Sequence, residues 1–259
     1  MLKIENVEVV GWNPAIRGMR NPKNSWEKSD SGWDESIWEY DEDGVGTLKS
    51  IPVIEDYDQE YYLGPNDQKL MMTLRNAGTD HRKFMRFLVV YLDITAPLYW
   101  WKEFKTYRAG RKFGDPEPDI MDPELLEMDI ETNSCSTMHK IHAKEFELDD
   151  FSHEHLLWSD RDDPALHSGD ILLDVIAMLN YCRKDYLKTK DKKYWNQMIQ
   201  LLPSSYNQKR TVMLNYEVLA NIYKSRRHHK LDEWHVVCDW IESLPYAELI
   251  TGVKKEEEK

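Results

Sequence analysis

Residues 202–229 constrain this chain more than any other segment. Leu202-Pro203 stops whatever helix precedes it, because proline lacks the amide donor and clashes with the turn before it, and the segment closes on Arg226-Arg227-His228-His229. Wound as one helix at about 100° per residue, it places Asn215, Leu219, Ile222, Arg226 and His229 on a single stripe. Amide, guanidinium and imidazole then share a face with aliphatics, whereas a helix that only packs a core keeps its buried face apolar. The stripe predicts either a lined pocket or a helix whose polar groups make buried hydrogen bonds to neighbouring elements.

With 259 residues the chain is long enough to bury a full core, and nothing forces a second domain, so residues 1–259 are expected to fold as one. Its net charge of −13 argues against a nucleic-acid polymer as partner, since such proteins gain affinity by neutralising phosphates. A local basic pocket remains compatible with it. Ten Trp and 14 Tyr are many for so polar a chain and suit oligomer interfaces or pockets for flat ligands. Cys135, Cys182 and Cys238 show no short spacing, which indicates neither a disulfide framework nor a CxxC zinc site. The start of the chain lacks a basic region followed by an apolar core, and no apolar run approaches the roughly 18 residues of a membrane helix. A cytoplasmic protein without membrane contact is expected.

Along the chain, residues 7–10 predict a first strand and 11–62 an irregular segment packed through its aromatics. Residues 67–78 predict a helix opened by Pro65-Asn66 and closed by Gly78. The nearly all-apolar run Phe87-Leu88-Val89-Val90-Tyr91-Leu92 predicts a strand over 84–95 covered on both faces. A helix over 98–107 follows, with Pro97 near its first turn. Residues from about 109 to 132 carry Gly110, Gly114, Pro116, Pro118 and Pro123 among acids and predict an inserted loop. Helices are predicted over 171–188, 194–202 and 231–244, and 254–259 as a frayed tail. The fold class is therefore α+β: a mixed or antiparallel sheet with a group of C-terminal helices.

Several clusters have residue types suited to chemistry. Asn133-Ser134-Cys135-Ser136-Thr137-Met138-His139-Lys140 is a dense run of small donors and acceptors. It fits a phosphate-binding turn, or a turn satisfying its own backbone. Cys135 with His139 or His142 would form a thiol–imidazole pair, and these residues with His153 and His155 offer metal ligands, but the spacings are those of loop histidines and no metal site is expected. Gly78-Thr79-Asp80-His81-Arg82-Lys83 is a charged turn able to hold a cofactor's phosphate, or an ordinary solvated turn. Lys102, Glu103, Lys105, Thr106 and Arg108 crowd the end of the aromatic helix, where Arg108 could reach an anion.

In their order these pieces resemble the flavin-dependent thymidylate synthases, over roughly residues 81–241. That family has a Gly-x-x-His turn before a strand ending in Ala-Pro, then an aromatic helix and an Arg-His-Arg motif followed by Ser, Asn and Ser. Here Gly78 and His81 match the turn, and Ala96-Pro97-Leu98-Tyr99-Trp100-Trp101-Lys102-Glu103-Phe104 matches the strand end and helix. The triplet falls on Thr106-Tyr107-Arg108, Asn133 and Ser136 match the Asn-x-x-Ser, and the closing arginine falls on Met138. Leu202-Pro203, Asn215, Leu219, Asn221 and Arg226 follow in the family's spacing, its later imidazole falls near His229-Lys230, and Glu217 stands where it carries an arginine.

The resemblance implies an enzyme that uses FAD to move a one-carbon unit from methylenetetrahydrofolate to C5 of dUMP or a related pyrimidine nucleotide, with NADPH as reductant and a homotetramer sharing its active sites. It implies flavin contacts at His81, Arg108, Asn133, Asn215, Asn221, His229 and Lys230. Glu103, Ser134, Ser136 and Arg226 would hold the nucleotide, with Arg226 stabilising charge on the pyrimidine ring. Thr106, Met138 and Ile199 lack the guanidinium that grips phosphate bidentately; Lys102, Lys105, Lys140 and Arg210 are the nearby substitutes. These departures motivate a second expectation, a protein of the same fold that has lost catalysis and serves as a nucleotide-binding or interaction protein.

Overall fold

Gly11 turns the first strand, β1 (Lys3–Val10), into the first helix, α1 (Trp12–Arg20). Its φ of +99° is open to glycine at little cost, and a Cβ there would stand 1.8 Å from the Phe87 carbonyl oxygen. The computed structural model describes residues 2–33, 61–104, 130–160, 162–163 and 165–252, with the backbone of 37–40 and 46–50. Most of the segment expected as a 109–132 insert, and the 254–259 tail, lie outside the described residues.

Short strands β2 (Gly32–Trp33), β3 (Ile37–Tyr40), β4 (Gly46–Ser50) and β5 (Tyr61–Tyr62) form two small antiparallel pairs, β2 with β5 and β3 with β4. The expected aromatic packing is present where Trp12 stacks on Tyr61 at 5.6 Å between centroids, although the segment also contains the regular helix α1. Helix α2 (Pro65–Asn76) begins with proline in its first turn, as the sequence predicts. Buried Asp67 in that turn accepts from Arg20 Nε at 2.6 Å and from the Ser29 and Ser31 hydroxyls, tying α2 to α1.

A short 3-10 turn (Arg82–Arg86) then leads into β6 (Val89–Pro97), so the strand starts later than expected. After α3 (Leu98–Phe104), strand β7 (Glu131–Ser134), helices α4 (Ser168–Thr189) and α5 (Lys192–Leu201), strand β8 (Asn207–Asn215) and helices α6 (Tyr216–Arg226), α7 (Asp232–Ser243) and α8 (Glu248–Thr251) complete the described chain. The main sheet runs β1-β6-β8-β7 with every pairing antiparallel.

β6 and β8 pair over nine residues, from Val89 opposite Asn215 to Pro97 opposite Asn207. Val90, Leu92, Ile94 and Ala96 face the core with Val212 and Leu214, and α1, α3, α6, α7 and α8 contribute to the same cluster. Among the described residues, only this face is covered. Tyr91 and Phe87 are exposed, contrary to the two-sided burial expected from the apolar run. A second core joins α4 and α5 to residues 141–151 through Ile141, Phe146, Phe151, Leu179 and Met198.

The segment after Leu202-Pro203 is not one helix. Its first half is β8, in which the polar pair Gln208 and Arg210 alternates inward with Val212 and Leu214. Arg210 donates to Gln208 Oε1 at 2.8 and 3.0 Å and lies over the Trp101 ring at 4.3 Å, while Trp101 Nε1 donates to the Gln208 carbonyl. These partners satisfy what a polar strand would otherwise bury at a cost. Among the described residues no helix is long and apolar enough to cross a membrane.

Candidate active site

Three of the residues singled out in the sequence meet at one carboxylate oxygen. Pro97 ends β6, and the Leu98 and Tyr99 amides donate to the Tyr206 and Ser204 carbonyls, which sets α3 at the sheet end. The helix buries Trp100, Trp101 and Phe104 and leaves Glu103 partly open. Arg226, the last residue of α6, places NH2 3.3 Å from Glu103 Oε2 and its guanidinium over the Trp234 ring at 5.0 Å. Trp234 Nε1 donates to the same oxygen at 3.2 Å. His229 lies beyond the helix; its Nδ1 accepts the Leu231 amide at 3.1 Å, which puts the neutral ring's proton on Nε2, 3.8 Å from Glu103 Oε2. A hollow of about 560 Å³ lined by Arg227, His228, His229, His235 and Asp239 borders this cluster.

A second cluster forms at the opposite end of α6. Asn215 is its N-cap: the side-chain oxygen accepts the Val218 amide at 3.0 Å, the usual role of Asn at this position. Glu217 follows in the first turn, where the helix dipole favours a carboxylate. It is fully buried and receives Arg82 Nε on one oxygen at 3.1 Å and Arg86 Nε on the other at 2.5 Å. Arg82 NH2 donates to Asn221 Oδ1 at 3.1 Å. His81, just before these arginines, is exposed.

The Asn133 run is split. Asn133 and Ser134 belong to edge strand β7, opposite Thr211 and Arg210, and are not part of a turn. With Cys135, Lys209 and Thr211 they line a shallow hollow of about 460 Å³. Beside it, Asp93 is pulled down to about 2, first by the Thr211 hydroxyl and then by Asn6 and Lys209. Ser136 Oγ accepts the Met138 and Lys140 amides, so this part does satisfy its own backbone. Gln208 Nε2 donates to the Cys135 carbonyl at 2.6 Å, linking the run to Trp101 and α3.

Of the other expected site residues, Lys230 is exposed, and Arg108, Thr106 and Lys105 lie outside the described residues. Lys102 and Lys140 are exposed, and Ile199 packs against the second core. The His142 ring sits edge-on to Tyr186, and the Cys135 thiol is hydrogen-bonded to no histidine among the described residues. No group of three or more His, Cys, Asp or Glu able to hold a metal occurs among the described residues. Sequence reasoning missed Arg86 and Trp234. The i,i+4 spacing of Arg82 and Arg86 was the available signal for the first; nothing separated Trp234 from the core residues of α7.

This fold, an all-antiparallel four-stranded sheet with helices packed on one face, is ThyX-like: it aligns with solved structures of ThyX, a flavin-dependent thymidylate synthase. ThyX from Helicobacter pylori, solved in complex with FAD and dUMP, aligns with 98% of this chain and 100% of its own at 16% identity and a TM-score of 0.57. A second structure of the same protein with the same ligands aligns over 99% and 100% at 15% identity and a TM-score of 0.58. A UMP/dUMP methylase, PolB from Streptomyces cacaoi, bound with 5-Br dUMP, is more distant at 12% identity, 94% and 89% coverage and a TM-score of 0.48. No family model and no curated protein sequence matches this chain. The shared fold spans nearly all of both chains.

Proposed function

We propose that this protein is an FAD-dependent enzyme that transfers a one-carbon unit from methylenetetrahydrofolate to C5 of dUMP or a related pyrimidine nucleotide, with NADPH as reductant. The observation that carries the reading is the convergence of Glu103, Arg226 and His229, far apart in sequence, on one carboxylate oxygen beside Trp234. The ThyX-like fold supports it independently.

In this reading Arg226 faces the pyrimidine and stabilises negative charge developing on the ring. Glu103 and Trp234 restrict the guanidinium to one orientation, so little reorganisation is needed when charge appears. Ser134 on the edge strand and Ser136 in the turn after it contribute to nucleotide positioning, with Asn133 on the flavin side. His81, Arg108, Asn215, Asn221, His229 and Lys230 belong to the flavin side, where Asn221 Oδ1 accepts from Arg82 NH2. Bound flavin supplies the hydride, so no cysteine nucleophile is required. Homotetramer assembly is part of the proposal, supported by the exposed apolar side chains of α4: Ile171, Met178 and Tyr181.

Purified protein should be yellow or take up FAD, and should convert dUMP to dTMP when supplied with methylenetetrahydrofolate and NADPH. Protein that cannot be loaded with FAD refutes the reading. A second reading, a nucleotide-binding protein of this fold without turnover, is favoured by Arg210, whose guanidinium is committed to Gln208 and Trp101. Binding of FAD and dUMP with no product under the same conditions would select it.

A further inference from the structure

A cationic triad lies at the start of α6. One buried carboxylate, Glu217, holds two guanidiniums. The layering is ordered: Glu217 is 0% exposed, Arg82 21% and Arg86 40%. An anion approaching from solvent therefore meets the arginines and not the acid behind them. Each arginine gives Glu217 only its Nε, and Arg82 gives NH2 to Asn221. Arg82 NH1 and both terminal nitrogens of Arg86 have no hydrogen-bond acceptor among the described residues. The triad keeps one net positive charge, next to exposed His81 and Lys83, in a chain of net charge −13. A buried ion pair is by itself weak evidence of a stabilising role. It does fix guanidinium planes, which is what bidentate phosphate recognition requires.

We propose that Arg82 and Arg86, oriented by Glu217, form a binding site for the diphosphate of a nucleotide, with Glu217 as a positioning residue. The positive charge that the resemblance places at residue 217 is thus carried by that residue's two partners. The assignment deepens the flavin reading, since FAD carries such a diphosphate, but it is testable without flavin.

Calorimetric titration of the full chain with ADP, inorganic pyrophosphate and FAD decides it. Arg82→Gln and Arg86→Gln should each weaken ADP binding about tenfold or more, the loss of a charge-assisted hydrogen bond. Arg86→Gln should still melt within about 4 °C of the parent, because Arg86 is partly solvated and Arg82 remains to pair Glu217. Glu217→Gln separates positioning from simple electrostatics. Deleting a negative charge should tighten anion binding on Coulomb grounds alone, whereas losing the restraint on two guanidiniums should weaken it about fivefold or more in folded protein. Unchanged or tighter ADP binding in Glu217→Gln overturns the positioning role. Should that variant fail to fold, the two arginine variants still decide the site. Parent protein that binds neither ADP nor pyrophosphate, or arginine variants that bind ADP as the parent does, overturn the proposal. Binding of ADP through these arginines without binding of FAD upholds the site and refutes the flavin reading.

Discussion

Arg226→Ala should separate catalysis from stability within a single protein sample. The stability held by Arg226 can be summed from its described contacts. Its guanidinium over the Trp234 ring contributes about 0.5–1 kcal/mol. Its ion pair with Glu103, a carboxylate 38% exposed, is discounted for screening to about 0.5 kcal/mol. The total of about 1–1.5 kcal/mol corresponds to a fall in melting temperature of roughly 2–6 °C for a chain of this size. Removing a preorganised donor from developing charge costs far more in rate, about 10²–10³ in turnover. The assay is conversion of dUMP to dTMP, followed by chromatography with FAD, methylenetetrahydrofolate and NADPH present, alongside thermal unfolding of the same sample. Arg226→Lys keeps the charge but not the fork and should fall between the two. Turnover within about threefold of the parent would refute the role of Arg226 in charge stabilisation. A melting temperature lowered by more than about 10 °C would show that Arg226 is a structural residue whose loss reaches the site through unfolding.

Asn215→Ala removes the N-cap of α6 and should lower stability by about 1–2 kcal/mol, read as a shifted urea midpoint at constant slope; an unchanged midpoint would mean the Val218 amide finds another partner. Burial, the largest single influence on the Asp67 carboxyl, pushes its pKa up, but hydrogen bonds from Ser31, Ser29, Arg20 and the Asp30 amide together outweigh it and hold the group below the usual range. Because the folded value is the lower one, this stabilisation is fully present above about pH 4 and is lost as pH falls through the folded value. Melting temperature should therefore drop more steeply below pH 4 in the parent than in Asp67→Asn, and equal slopes would contradict the assignment. Gly11→Ala should lose about 2 kcal/mol or more, through its positive φ and the clash with the Phe87 carbonyl, and parent-like chemical denaturation would show that the joint can shift.

Helix α4 was readable because Leu172, Ile176, Leu179 and Cys182 recur at helical spacing and pack one core. Strand β8 was not, because its inward positions include Gln208 and Arg210, and a polar alternation looks like a solvated helix until Trp101 and the Cys135 carbonyl are seen to satisfy it. The apolar run at residues 87–92 marked a strand correctly but overstated its burial: Phe87 falls in the turn before it, and the alternation shows in exposed Tyr91 between buried Val90 and Leu92. Arg226 and His229 were legible as polar members of one stripe, but only the resemblance set Glu103 beside Arg226, since no local pattern joins an aromatic helix to a segment more than a hundred residues later. Trp234 stayed hidden because its indole belongs to the apolar side of α7, and only the direction of Nε1 distinguishes it.

The distribution of guanidiniums narrows where an anion can bind. Of the three positions where the resemblance expects a phosphate-gripping arginine, Ile199 is committed to the α4–α5 core and Met138 is an exposed thioether. Arg210 cannot replace them from where it stands, because leaving Gln208 would strip a buried amide of its partner and uncover the Trp101 ring. Arg226 is turned onto Glu103. The Arg82–Arg86 turn, by contrast, holds its guanidiniums against a buried carboxylate while leaving them partly open to solvent. Glu217 would then be a relocation of the site's charge and not its loss. An arginine at 217 would set three guanidiniums against one another, so Glu217→Arg should be tolerated only when Arg82 or Arg86 is neutralised with it. Recovery of melting temperature in Glu217→Arg/Arg86→Gln relative to Glu217→Arg alone measures that coupling, and simple additivity of the two changes would refute it.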